Sequence, residues 1–96
     1  MDANELKNRT KKFAINVIRM TQNLDRHTSN FVMERQIIRS ATSVGANYRS
    51  ALRGKSGPDF LNKIKIVEEE ADECCYWLEL LSEINEKNID QITPLL

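Results

Sequence analysis

Apolar residues recur at spacings of four and three along most of this chain. The clearest run is Phe60, Ile64, Val67, Ala71, Cys74, Leu78 and Leu81. It sets one apolar seam on a single long helix, with charge at most of the intervening positions. The spacing predicts a helix over about 58–86. Upstream, Ile37, Ala41, Val44, Tyr48 and Ala51 repeat the same spacing and predict a helix over about 31–53. Ser40, Ser43, Ala46, Asn47 and Ser50 flank that stripe, and such small side chains allow a partner helix to come close. Leu6, Phe13, Val17, Met20 and Leu24, widened by Ala14 and Ile18, predict a first helix over about 4–24.

The breaks between these runs are short. Asp25 to Asn30 has no apolar residue and reads as a loop, with Ser29 or Asn30 able to cap the next helix. Gly54-Lys55-Ser56-Gly57-Pro58 reads as the second break. Gly54 suits a left-handed helix end. Ser56 and Asp59 fit a capping box, with Pro58 tolerated in the first turn. So short a break folds helices two and three into an antiparallel hairpin. Asn88 to Asp90 reads as a turn, after which Ile92, Pro94, Leu95 and Leu96 begin another apolar pattern. The expectation is one all-α domain over residues 1–96, an antiparallel up-down helical bundle. Three long helices are expected, with the start of a fourth over about 91–96, ended there by truncation or by a natural end. Three amphipathic helices of this kind leave apolar surface without a cover. Gly45, mid-helix, costs about 1 kcal/mol relative to Ala, which points to close helix packing at that position.

Charge changes this picture more than composition does. The chain has 96 residues, 41% apolar and 29% charged, and a net charge of zero. The zero conceals a split. Residues 1–57 hold 11 Lys/Arg and 4 Asp/Glu, and residues 58–96 hold 3 and 10. The two blocks sit on adjacent helices. Internal pairing is therefore expected, with Arg35, Arg39 and Arg49 facing Glu69, Glu70 and Glu73 across the hairpin. Each exposed pair contributes only about 0–1 kcal/mol, so the charges set register more than stability. The cations of the first helix, Lys7, Arg9, Lys11, Lys12 and Arg19, have no acidic block beside them. They form a candidate nucleic-acid surface that attracts phosphate without reading sequence. The acidic third helix offers the alternative, a module that recruits a basic protein.

Catalytic chemistry finds little support. Cys74 and Cys75 are neighbours about 100° apart on a helix, a poor geometry for bridging each other or building a zinc site. Cys74 falls in the seam as a small buried hydrophobe. His27 is the one histidine and lies in a polar loop. The Glu-x-x-His signature of di-iron bundles is absent. Gly54-Lys55-Ser56-Gly57 echoes the tail of a P-loop but lacks its upstream glycine and strand. No enzyme, metal or cofactor is expected. Trp77, next to the seam beside Tyr76, suits the core or the anchoring of a neighbouring subunit. No secretory signal opens the chain and no stretch approaches about 18 apolar residues, so a cytoplasmic protein without a membrane is expected.

Arg39-Ser40-Ala41-Thr42-Ser43-Val44-Gly45-Ala46-Asn47-Tyr48-Arg49, then Ser56, Asp59-Phe60, Lys63-Ile64, Glu70-Ala71-Asp72-Glu73 and Tyr76-Trp77-Leu78-Glu79-Leu80-Leu81, carry a family resemblance. Their order and spacing resemble the 23S rRNA intervening-sequence proteins, also called S23 ribosomal protein-like. The resemblance covers about Phe31 to Ile84 and implies an up-down four-helix bundle of bacterial origin that assembles as a homopentamer. Some such proteins are encoded within insertions in 23S rRNA genes. The accessory variability determinants of retroelements, a related branch, bind nucleic acid and a reverse transcriptase. The resemblance thus implies RNA or DNA, or a nucleic-acid enzyme, as partners.

Overall fold

The computed structural model describes residues 2–54 and 56–96; Lys55, in the predicted second break, lies outside them. Its elements are α1 (Ala3–Thr21), α2 (Thr28–Leu52), α3 (Gly57–Ile84) and a one-turn α4 (Ile89–Ile92). Short 3-10 turns at Glu86–Asn88 and Thr93–Leu95 flank α4. The fourth helix therefore begins at Ile89, slightly before the expected 91–96, and spans a single turn.

The molecule is an elongated slab of 45 × 22 × 16 Å. α2 lies in the middle, packing on α1 along one side and on α3 along the other, while α1 and α3 hardly meet. Val17 and Met20 of α1, Met33, Ile37, Ala41 and Val44 of α2, and Cys74, Leu78 and Leu81 of α3 form one buried cluster, closed by Ile92. Only α4 and the turn after it reach into the slot between α1 and α3, and they do so at the C-terminal end of α3. This explains how the predicted seam divides. Cys74, Leu78 and Leu81 are buried, Ile64 and Val67 are half-buried, and Phe60 and Ala71 are exposed. Within the described residues, Phe60 and Ala71 therefore stand at the margin of the core, because α2 alone covers the first half of α3.

Local chemistry sets the helix ends. Asp2 caps α1, its carboxylate accepting the Glu5 N–H at 2.8 Å. Ser56 caps α3, its Oγ accepting the Asp59 N–H at 3.2 Å, with Pro58 in the first turn. α2 departs from expectation: it starts at Thr28, His27 occupies the cap position, and no side chain caps it. Asn30 is buried and its amide is engaged elsewhere, so it does not cap. α1 ends at Thr21, short of the expected Leu24, and Asn23 and Leu24 continue it as a turn bonded to the Met20 and Thr21 carbonyls. Leu24 still packs against the core from that turn, so the apolar pattern runs past the helix.

Two glycines mark close approaches. A Cβ on Gly45 would sit 3.3 Å from Thr10 Oγ1, which places the α1–α2 contact there. Gly54 does not adopt the left-handed conformation expected of it; no described glycine has positive φ. A Cβ at Gly54 would instead lie 3.1 Å from the Ala51 carbonyl and 3.4 Å from the Phe60 N–H. Glycine is used there for space where α3 starts against the end of α2.

Candidate nucleic-acid and assembly surfaces

α1 carries five cations against the carboxylate of Glu5. Lys11, Lys12 and Arg19 are exposed and, among the described residues, make no ion pair; Arg9 is exposed and Lys7 is half-buried. Lys12, Ile15, Arg19 and Gln22, spaced three, four and three, share an exposed stripe that runs to the end of the helix.

Across the α2–α3 hairpin, Arg39 donates to Glu70 at 3.2 Å and also pairs with Glu73. Glu73 in turn accepts the Trp77 indole N–H at 3.2 Å. The Arg39 guanidinium, helped by the Trp77 N–H, holds the Glu73 carboxyl below its usual range, and Glu73 raises Arg39 in return. The other predicted pairings do not form. Arg35 instead places its guanidinium 5.8 Å from the Phe31 ring centroid. Arg49 and Arg53 have no carboxylate within ion-pair reach among the described residues, and Glu69 stays exposed. Arg35 and Arg39, four residues apart, share one side of α2, but only Arg39 is level with Glu70 and Glu73; Arg35 lies about 6 Å along the helix from it and Arg49 about 15 Å in the other direction. The acidic run divides similarly. Glu70 and Glu73 turn to the hairpin, while Glu68, Asp72, Glu79 and Glu83 stay exposed on one outer stripe.

The predicted packing residues Ile37, Ala41, Val44, Tyr48 and Leu78 are buried, and Trp77 is half-buried against the cluster. Exposed apolar side chains gather in two places on the hairpin. Phe60, Leu61 and Ile66 lie on the first half of α3; Val32, Tyr76 and Ile84 lie near the other end, beside Trp77 and Leu80. Tyr76 and Trp77 meet edge to face, with ring centroids 5.2 Å apart.

Sequence patterning missed the buried polar contacts. Asn30 and Asn85, 2% and 6% exposed, exchange amide hydrogen bonds of 2.8 and 2.9 Å. Asn30 also donates to the Asp25 carbonyl at 2.9 Å, and Asn85 to the Leu81 carbonyl at 3.0 Å. Asn88 donates to the Asn23 carbonyl at 3.2 Å. Together these bonds tie the α1–α2 loop, the start of α2, the end of α3 and the C-terminal segment. Nearer the middle, the Cys74 thiol donates to Ser40 Oγ at 3.3 Å, and burial pushes that thiol up, away from the reactive thiolate. Cys75 is exposed. One signal was available: Asn85 follows Leu78 and Leu81 at the spacing of the apolar seam, and Asn30 precedes Ile37 by seven residues, positions where a polar residue is rare.

An open cleft of about 590 Å³ lies under the α1–α2 loop, lined by residues including Leu24, Arg26, His27, Phe31 and Glu34. His27 lines it and is exposed. No group of three or more His, Cys, Asp or Glu comes together as a metal site among the described residues. No described helix is long and apolar enough to cross a membrane.

The fold and these residues have relatives. No curated protein matches the chain. Among solved structures, it is similar to a protein of unknown function from the S23 ribosomal protein family of Bacteroides thetaiotaomicron. The two are 37% identical over 99% of this chain and 91% of that one, with a TM-score of 0.77. A family model described as 23S rRNA-intervening sequence protein matches residues 2–96, extending the similarity seen in α2 and α3 through α1 and the C-terminal segment. The chain belongs to the 23S rRNA-intervening sequence protein family.

Proposed function

We propose that this protein is a non-enzymatic, self-assembling helical bundle of the cytoplasm that binds RNA or DNA through the outer face of α1. The observation that supports the nucleic-acid half is the charge on that face: Lys11, Lys12 and Arg19 are exposed and, among the described residues, no carboxylate pairs with them. Unpaired cations release phosphate counterions on binding, which gives affinity without sequence readout. The assembly half rests on the apolar side chains left in solvent along α3, above all Leu61 at 63% exposure. The family resemblance favours a homopentamer.

A salt series on fluorescently labelled RNA and DNA tests the binding. The logarithm of affinity should fall linearly with that of salt concentration. Replacing Lys11, Lys12 and Arg19 with Gln should flatten the slope by about 2–3, at roughly 0.7–0.9 per phosphate contact. Absence of binding at low salt, or a slope unchanged in the triple variant, would defeat the proposal.

The exposed stripe of Glu68, Asp72, Glu79 and Glu83 favours a second reading, a module that recruits a basic protein such as a polymerase or reverse transcriptase. Capture of such a partner that resists nuclease and is lost on reversing those four charges would select it.

A further inference from the structure

The cleft under the α1–α2 loop has a lining suited to one class of ligand. Its volume, about 590 Å³, lies within the roughly 300–1,000 Å³ of small-ligand sites. Phe31 lines it and keeps 60% of its surface in solvent, although a buried core lies one turn away. Arg35, four residues on, holds its guanidinium 5.8 Å from the ring centroid and so restrains the ring. Arg26 and His27 line the cleft as well. The loop carboxylate Asp25 is engaged by Lys87, which leaves Glu34 as the remaining acid of the lining. An exposed aromatic ring braced by a cation, with Arg26 alongside, matches the needs of an unstacked base and its phosphate. The α1 stripe of Lys12, Ile15, Arg19 and Gln22 ends here, since Gln22 lines the cleft too. That stripe covers about 15 Å of helix.

We propose that this cleft takes an unpaired nucleotide of the strand that α1 binds, with the base stacked on Phe31 and the phosphate held on the Arg26 side. Glu34 is then left to accept from an exocyclic amine of the base. This assignment rests on the nucleic-acid reading above and adds a preference for unpaired strands to it. A duplex keeps its bases stacked inside and offers the ring nothing.

The test compares binding of a short single-stranded oligoadenylate with binding of a duplex of the same length. Phe31→Leu keeps the apolar bulk and removes the π face; Phe31→Trp keeps the face. Phe31→Leu should weaken single-strand binding about 5- to 100-fold, leave duplex binding unchanged and leave the salt slope unchanged. Phe31→Trp should bind the single strand at least as tightly as the parent. Equal single-strand affinity for the parent and Phe31→Leu would overturn the assignment, as would equal weakening toward both forms. So would a fall in oligomer mass in Phe31→Leu, which would place the ring at a protomer contact. Salt-dependent binding that ignores Phe31 removes the cleft assignment alone, whereas failure of the parent to bind either form removes the nucleic-acid reading with it.

Discussion

Asn85→Ala tests how the bundle fixes its register. In the parent, Asn85 donates to Asn30 Oδ1 at 2.9 Å and accepts from Asn30 Nδ2 at 2.8 Å. The substitution removes both bonds. Asn30 Nδ2 keeps the Asp25 carbonyl, but Asn30 Oδ1 is left at a residue 2% exposed with no donor. Each lost bond is worth about 0.5–1.5 kcal/mol net, and a stranded buried acceptor costs about 1–3 kcal/mol. Part of this overlaps, so the expected loss is about 2–4 kcal/mol. For a domain of this size that lowers Tm by roughly 10–20 °C, read by circular dichroism at one fixed protein concentration. Asn30→Ala should cost a similar amount. The double variant should cost less than the two together, with a coupling of about 1–3 kcal/mol. A loss under about 0.5 kcal/mol for Asn85→Ala, or strict additivity, would show that the pair does not hold the two helix ends together. The pair matters beyond stability, because Asn30 also holds the loop that roofs the cleft.

Leu81, fully buried, should lose about 2–5 kcal/mol as Leu81→Ala in urea unfolding, whereas exposed Phe60→Ala should leave the fold within about 1 kcal/mol and instead weaken assembly in sedimentation. Gly45→Val pushes a side chain into Thr10, 3.3 Å from where its Cβ would lie, and should cost about 1–3 kcal/mol in the same assay, with Thr10→Ala recovering part of the loss. Glu73, whose carboxyl is held below the usual range by Arg39, contributes stability that is present above about pH 4.5 and lost as pH falls through its depressed folded value. The Tm gap between the parent and Arg39→Gln at neutral pH should therefore narrow in acid; a gap that stays constant to pH 3 would contradict the pairing.

Periodicity made the helices legible because burial along α2 follows it closely: Ile37, Ala41, Val44 and Tyr48 are all buried. The same logic overreached on α3. A seam states which face seeks cover, not whether a neighbour supplies it, and among the described residues Phe60 and Ala71 are left exposed. Charge blocks predicted the contact between α2 and α3 but not its partners. Whether Arg35, Arg39 or Arg49 reaches a carboxylate depends on its level along the hairpin, which composition does not encode. The Asn30–Asn85 pair was hidden because an Asn near a helix start reads as a cap. Here the helix begins two residues before Asn30, and its amide turns inward. Phe31 was read simply as the start of a helix; its exposure follows from the path of the loop before it.

In the function proposed, exposed apolar surface assembles the bundle while exposed cations on α1 hold a nucleic-acid strand. Sedimentation velocity of the protein with labelled single-stranded RNA, stepped from low to high salt, tests both parts at once. At low salt the label should travel with a species several times the 11.1 kDa chain mass, and high salt should free the RNA while the protein stays assembled. A protein that sediments as a monomer throughout, or RNA that stays free at low salt, would contradict it.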